Sequence, residues 1–166
     1  MAETLLIEQR TGMALASVMA RKGASARDLG KTFGLPALPE GPGSVRIDSL
    51  SFWGTGPGAW LAIADRFDPG WPQRLEQIAG RLASISDQTG SYVLFRLSGN
   101  GARTLLQRGA AVDLDPRVFG PGSAATTVIA HIGAIIHRDE AGYDVAVFRS
   151  YAASFHHWYE SVAATV

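Results

Sequence analysis

A Gly-Lys-Thr triplet at residues 30–32 is the part of the sequence that most resembles a site for chemistry. Phosphate-binding loops end in this triplet, because its lysine contacts phosphate oxygens and its hydroxyl contacts magnesium. The first glycine of such a loop gives the backbone its tight path, and Ser25 occupies that position here. Gly34 and Pro36 then end any helix within about one turn of the triplet. We therefore predict a short helix over residues 25–33 and keep a nucleotide-binding switch as a competing hypothesis.

The four histidines lack the spacing of metal ligands. His131 and His137 fall on one predicted strand, which would place their imidazoles about 20 Å apart. His156 and His157 are neighbours on a predicted helix and would point about 100° apart. Motifs for nucleophilic catalysis, zinc hydrolysis and dinucleotide binding are missing or incomplete. The sequence therefore predicts no catalytic, cofactor-binding or metal-binding residue in this chain.

Composition excludes several further classes of protein. The 166 residues include 15 Lys and Arg, 15 Asp and Glu, and no cysteine. A chain without a basic excess is not built to bind nucleic acid, and one without cysteine forms no disulfide or iron–sulfur cluster. No segment has the roughly 18–20 apolar residues of a membrane span, and the start does not read as a secretory signal. We expect a cytoplasmic protein without a membrane partner.

The elements that would position these residues run in the same order in both halves of the chain. The first half predicts strands at 15–21, 46–53 and 59–65, a helix at 25–33 and an amphipathic helix from Trp71. The second half predicts strands at 91–97, 126–137 and 143–149, a helix at 101–108 and a closing helix from Tyr151. We therefore predict an α+β fold of two similar small lobes, residues 1–84 and 85–166, in one compact unit. Each lobe would have an antiparallel or mixed sheet with helices on one face.

More apolar side chains are present than the inner faces of two small lobes require. Ile129 and Ile135, for example, lie opposite the apolar face of the strand predicted at 126–137. Either the lobes bury such side chains against each other, or a partner protein covers them. The candidate subunit interface consists of Trp53, Ile129, His131, Ile135, His137, Trp158 and Tyr159.

Five stretches of the sequence resemble the gamma subunit of heterotetrameric sarcosine oxidase. They are GPGAWL at 56–61, RLSGNGARTLL at 96–106, VDLDPRVFGPGSAATT at 112–127, AHIG at 130–133 and FRSYAASF at 148–155. The resemblance covers about residues 50–165 and is most specific over 87–155.

The resemblance implies a fold related to the folate-binding lobes of the glycine-cleavage aminomethyltransferase. It also implies a non-catalytic, structural role in the oxidative demethylation of sarcosine to glycine. The expected partners are alpha, beta and delta subunits, and FAD, FMN, NAD and tetrahydrofolate are expected in those partners rather than in this chain. Whether the chain alone is an enzyme is left open. The alternative hypothesis is a stand-alone folate-binding or one-carbon transfer protein.

Overall fold

In the computed structural model, which describes residues 4–165, the strands form two five-stranded antiparallel sheets. The strands are β1 (Leu6–Arg10), β2 (Ala14–Ala20), β3 (Ser44–Ile47), β4 (Leu50–Gly56), β5 (Ala59–Ala64), β6 (Ala83–Asp87), β7 (Tyr92–Ser98), β8 (Ala124–Ile129), β9 (Ile132–Arg138) and β10 (Gly142–Phe148). The helices are α1 (Ala26–Thr32), α2 (Trp71–Ala79), α3 (Gly101–Gln107) and α4 (Ala152–Ala163). The predicted α+β class is confirmed, and no described helix is long and apolar enough to cross a membrane.

The first unit comprises residues 12–90, and its strands lie in the order β3-β4-β5-β2-β6. Alternate residues of β2 and β5 face α1 and α2, as the period of two along a strand requires. The rings of Phe33 and Phe52 pack against each other in this core at a tilt of 48°, with centroids 4.8 Å apart. Large members of this core include Leu29, Phe33, Phe52, Trp60, Trp71 and Leu75.

The second unit comprises residues 91–165 together with residues 4–11, and its strands lie in the order β1-β7-β10-β9-β8. One face of this sheet packs against α3 and α4. The buried ring of Phe155 on α4 lies 4.9 Å from that of Phe95 on β7, measured between centroids. Large members of this core include Phe95, Leu97, Leu105, Leu106, Phe119, Ile129, Ile136, Tyr143 and Phe155.

The two units repeat the same elements, but their boundaries differ from the predicted 1–84 and 85–166. Strand β6 pairs with β2, whereas the equivalent edge position beside β7 is filled by β1 from the start of the chain. Residues 1–3 and 166 of the predicted lobes lie outside the described residues. The sequence missed β1 and β6 because both are short, mostly polar edge strands whose pairing spans most of a unit or more.

The strands predicted at 46–53 and 126–137 are each two strands joined by a two-residue turn. The turns are Asp48-Ser49 between β3 and β4, and Ala130-His131 between β8 and β9. Asp48, Ala130 and His131 all have positive φ, as hairpin turns of this length require. Sequence reasoning missed both turns because neither contains glycine.

The Gly-Lys-Thr triplet belongs to a short helix, as predicted. Ser25 caps α1, accepting a hydrogen bond from the Asp28 N–H over 3.0 Å. The Thr32 hydroxyl donates to the Leu29 carbonyl within the helix over 2.8 Å. A β-carbon on Gly30 would lie 2.3 Å from the Ala37 backbone, so this glycine allows the following loop to approach the helix.

Candidate functional site

Asp144, on β10, is the one charged residue that is fully buried among residues 4–165, with 3% of its surface exposed. Its carboxylate accepts hydrogen bonds from Nη1 of Arg10 and Nη1 of Arg96, each over 3.2 Å. The Nδ1 atom of His137 lies 3.6 Å away. Arg96 also donates to Asp139 over 2.6 Å. We call these five residues the Asp144 cluster.

Strand register brings the cluster together. Asp144 is the direct partner of Arg96 on β7 and of His137 on β9, so the three side chains share one face of the sheet. Their neighbours Leu97, Val145 and Ile136 point to the opposite face, into the core. The cluster therefore lies on the face that α3 and α4 do not cover.

The electrostatics of the cluster keep Asp144 ionised. Burial alone would raise the pKa of its carboxyl group, but the adjacent His137 imidazole and the charges of Arg10 and Arg96 outweigh burial and leave the pKa below its usual value. Burial would also raise the pKa of Asp139, but the hydrogen bond from Arg96 and those from the Ala141 and Gly142 N–H groups outweigh burial and leave that pKa below its usual value. A carboxylate that stays ionised and already accepts hydrogen bonds from two arginines links neighbouring strands. It is poorly suited to proton transfer or to binding a ligand. No group of three or more metal-binding side chains occurs within the described part of the chain.

Three residues of the predicted interface, Trp53, Ile129 and Ile135, are buried within the chain. They offer no surface to a partner, so the prediction was wrong in this respect. The turn at 130–131 reverses the chain and puts Ile129 in the helix-covered core beside Ile132, which a continuous strand would not do.

The other four residues of the predicted interface differ in exposure. His131 is exposed at the tip of the β8–β9 turn, and His137 is half-buried in the Asp144 cluster. Trp158 and Tyr159 are half-buried on α4 and pack against the core ring of Phe155. These four stay candidates for a subunit interface.

The structure exposes other aromatic side chains that sequence reasoning did not select. Phe148, at the end of β10, is 47% exposed and stacks on Tyr92 with ring centroids 4.8 Å apart. Tyr151 follows in a single turn of 3₁₀ helix, Arg149–Tyr151, and is 50% exposed. We call Tyr92, Phe148 and Tyr151 the aromatic end of the second unit. The signal in the sequence was an aromatic residue on each side of Arg149-Ser150, where a solvent-facing turn would normally be polar.

The first unit contains a surface pocket of about 550 Å³ at the start of α2. We call it the Arg66 pocket. It is lined by Ser49, Leu50, Ala64, Asp65, Arg66, Asp68, Trp71 and Arg74. Asp65 pairs with Arg46, and Asp68 pairs with Arg74. The hydrogen bond from Arg74 and that from the Gly70 N–H hold the pKa of Asp68 below its usual value.

Comparison with known proteins gives a family for this fold. Residues 12–165 match the family described as "Sarcosine oxidase, gamma subunit family". The curated sarcosine oxidase subunit gamma of Corynebacterium sp. (strain P-1) is 28% identical over 131 residues, which are 73% of this chain and 61% of that protein. The chain thus spans about three fifths of the length of that relative.

Two solved structures share the fold. One is a chain of the heterotetrameric sarcosine oxidase of Corynebacterium sp. U-96, in complex with pyrrole 2-carboxylate, with a TM-score of 0.85 and 21% identity over 97% of this chain and 84% of that one. The other is the glycine cleavage system aminomethyltransferase T of Bartonella henselae, with a TM-score of 0.65 and 15% identity over 93% of this chain and 45% of that one. The family match extends through all four helices and every strand except β1, and the chain belongs to the sarcosine oxidase gamma subunit family.

Proposed function

We propose that this chain is a non-catalytic assembly subunit of a heterotetrameric sarcosine oxidase. The observation that carries the proposal is the family match over residues 12–165, because it includes both units rather than one shared motif. The likeness to a chain of a heterotetrameric sarcosine oxidase supports a fold suited to such an assembly. The proposed partners are the alpha, beta and delta subunits.

The surface of the second unit supports a role in assembly. Phe148 and Tyr151 are each about half-exposed, and Tyr92 stacks beneath Phe148. Aromatic side chains are enriched in protein–protein interfaces, where they supply large contact areas with few rotatable bonds. We assign the aromatic end to the contact with a larger subunit, with His131, Trp158 and Tyr159 as further candidates.

The chemistry belongs, in this proposal, to the partners. The assembled enzyme would oxidise sarcosine and release glycine, using FAD, FMN, NAD and tetrahydrofolate held by the larger subunits, in the cytoplasm. The side chains of the Asp144 cluster engage one another, which supports a structural rather than a chemical role for the most buried charges of this chain.

Co-expression tests this proposal. The larger sarcosine oxidase subunits of the same organism are produced with and without this chain, and soluble flavin-containing complex and sarcosine-dependent oxygen consumption are measured. We expect intact complex only when the chain is present, and no activity from the chain alone. Equal yield and activity without the chain would contradict the proposal.

Paired variants localise the contact. Phe148→Asp combined with Tyr151→Asp should reduce the recovered complex, because the charges would be buried unpaired at the interface. Ile78→Asp, on the exposed surface of α2, is the matched control. An equal reduction by both variants would remove the aromatic end from the interface.

The alternative, a stand-alone folate-binding or one-carbon transfer protein, is favoured by the likeness to the aminomethyltransferase fold. Two proteins that share a fold do not necessarily bind the same ligand. A protein that fixes a pterin ring needs an available carboxylate, and Asp144 is held by two arginines. Calorimetric titration of the isolated chain with tetrahydrofolate decides between them: saturable binding would favour the alternative.

A further inference from the structure

The Arg66 pocket combines an apolar floor with a charged rim. Trp71 is largely buried and, with Leu50 and Ala64, forms the apolar part of the lining. Arg66, Asp68 and Arg74 supply the charges at the rim and stay largely in contact with solvent. The pocket is thus preformed by the β3–β4 turn, the end of β5 and the first turns of α2.

One arginine at the pocket has no carboxylate partner among the described residues. Arg46 is neutralised by Asp65, and Arg74 is neutralised by Asp68. Arg66 forms no ion pair or side-chain hydrogen bond with any residue in the described range 4–165. The pocket therefore has one unit of positive charge available, carried by a planar group that binds carboxylates through two parallel hydrogen bonds.

The residue that follows this arginine in the chain has an exposed aromatic ring. Phe67 follows Arg66 in the chain and is 58% exposed, while its N–H donates to the Gly12 carbonyl over 2.6 Å. The backbone hydrogen bond fixes the loop, so the ring and the guanidinium are presented from an ordered segment. Arginine and aromatic residues, phenylalanine among them, are enriched at protein–protein interfaces.

We propose that the Arg66 pocket is a docking site for an acidic side chain of a larger subunit, with Phe67 packing against apolar residues that flank that acid. The inference rests on the proposed function and adds a second contact, on the first unit, to the aromatic end of the second. Charge complementarity identifies the occupant: a carboxylate satisfies Arg66 without disturbing the two existing ion pairs.

The exposure of the rim favours a protein over a small molecule. Small-molecule sites enclose most of their ligand and are lined mainly by apolar groups. Here the side chains of Arg74 and Asp68 are 54% and 48% exposed, so a small carboxylate bound at this rim would stay in contact with solvent. A partner subunit brings its own apolar surface to cover the rim and thereby strengthens the ion pair.

Charge reversal tests the docking site in the complete complex. Tagged wild-type chain, Arg66→Glu and Arg81→Glu are each co-expressed with the larger subunits, and the recovered complex is quantified at low and high salt. Arg81 is the matched control, because it is exposed in the same unit but follows α2 at the end away from the pocket. We expect Arg66→Glu to reduce the affinity of this chain for the larger subunits about tenfold or more. Arg66→Lys should bind more tightly than Arg66→Glu but less tightly than wild type, and Arg81→Glu should bind as wild type does.

The outcomes separate this inference from the proposed function. Failure of the wild-type chain to form any complex would overturn both. Complex formation by wild type and by Arg66→Glu in equal amounts, with circular dichroism showing both folded, would overturn only the docking site. Saturable binding of sodium benzoate to the isolated chain, lost in Arg66→Gln, would assign the pocket to a small carboxylate instead.

Discussion

The guanidinium of Arg10 donates a hydrogen bond to the carboxylate of Asp144 over 3.2 Å, although one lies near the start of the chain and the other in its last quarter. Arg10 is on the edge strand β1, and its side chain reaches over β7 to β10. The first strand is therefore held to the second unit by charge as well as by its backbone hydrogen bonds. This contact makes Asp144 a residue whose loss should loosen four strands together.

Replacement of Asp144 by alanine is expected to lower the free energy of unfolding by about 1–3 kcal/mol, because the largely buried Arg96 guanidinium then keeps only its hydrogen bond to Asp139. Arg10→Ala should cost only about 1 kcal/mol, since Arg10 is one third exposed and water screens its charge. Urea unfolding followed by circular dichroism measures both losses.

The matched control for this pair is Asp115→Ala. Asp115 also pairs with an arginine, Arg117, but that arginine is almost fully exposed. Only a small loss of stability is expected for this variant, because besides the exposed ion pair its carboxylate accepts one local hydrogen bond, from the Arg117 N–H. A similar loss for the Asp115 and Asp144 variants would show that the Asp144 cluster has no special role in stability.

The same cluster predicts a dependence of stability on pH. The pKa of Asp144 and that of Asp139 lie below the ordinary value of 3.8, so the unfolded chain takes up protons before the folded chain does as pH falls. Their contribution to the free energy of unfolding is complete above about pH 5 and is lost progressively below about pH 4.

The Asp144→Asn variant measures how much of this pH dependence of the free energy of unfolding comes from Asp144. Its unfolding free energy, measured in urea from neutral pH down to the acid transition, should fall less steeply with pH than that of wild type. Parallel curves for the two proteins would contradict the assignment of a lowered pKa to Asp144.

Substitutions in the β8–β9 turn are predicted to increase the stability of the protein. Ala130 and His131 have φ angles of 49° and 70°, a region that most residues with a β-carbon rarely adopt and that glycine and asparagine adopt more readily. Ala130→Asn combined with His131→Gly should raise the free energy of unfolding by about 1 kcal/mol. Thermal unfolding measures the gain, and His131→Ala, which keeps a β-carbon, should show none. A lower midpoint for the double variant would refute the explanation.

Close packing of Gly109 against Trp158 gives a further prediction. A β-carbon on Gly109 would lie 2.6 Å from the indole ring and 3.2 Å from the Ala130 backbone nitrogen. Gly109→Ala should therefore cost about 1–3 kcal/mol in stability, and adding Trp158→Leu should recover part of this loss. Gly133→Ala is the control in equilibrium unfolding, because nothing lies within 4 Å of its added carbon. Equal effects of both glycine substitutions would contradict this packing.

Periodicity predicted the core of the fold well. The stripe of Leu75 and Ala79 on α2, and Phe155 on α4, face the sheets because apolar residues recur at helical spacing there. The class, the helices and the order of the main strands followed from such patterns. The tight turns did not, because alternation continues across Ala130-His131 without a glycine to interrupt it.

The site was less predictable than the fold. Asp144 stands between Tyr143 and Val145 in an otherwise apolar strand, and a lone carboxylate there signals a buried ion pair. Its partners could not be named, because Arg10 and Arg96 reach it only through long-range strand pairing. The interface residues between 129 and 137 were selected from one continuous strand, and because the turn at 130–131 was missed, Ile129 on β8 was assigned to the wrong face.

The most direct test of the central claim is affinity purification of the tagged chain from native lysate, with the eluate examined by visible absorbance and native mass spectrometry. The account predicts a yellow eluate in which this chain is joined to larger flavin-bearing subunits in one complex. A colourless eluate that contains the chain alone, folded and at full yield, would contradict it.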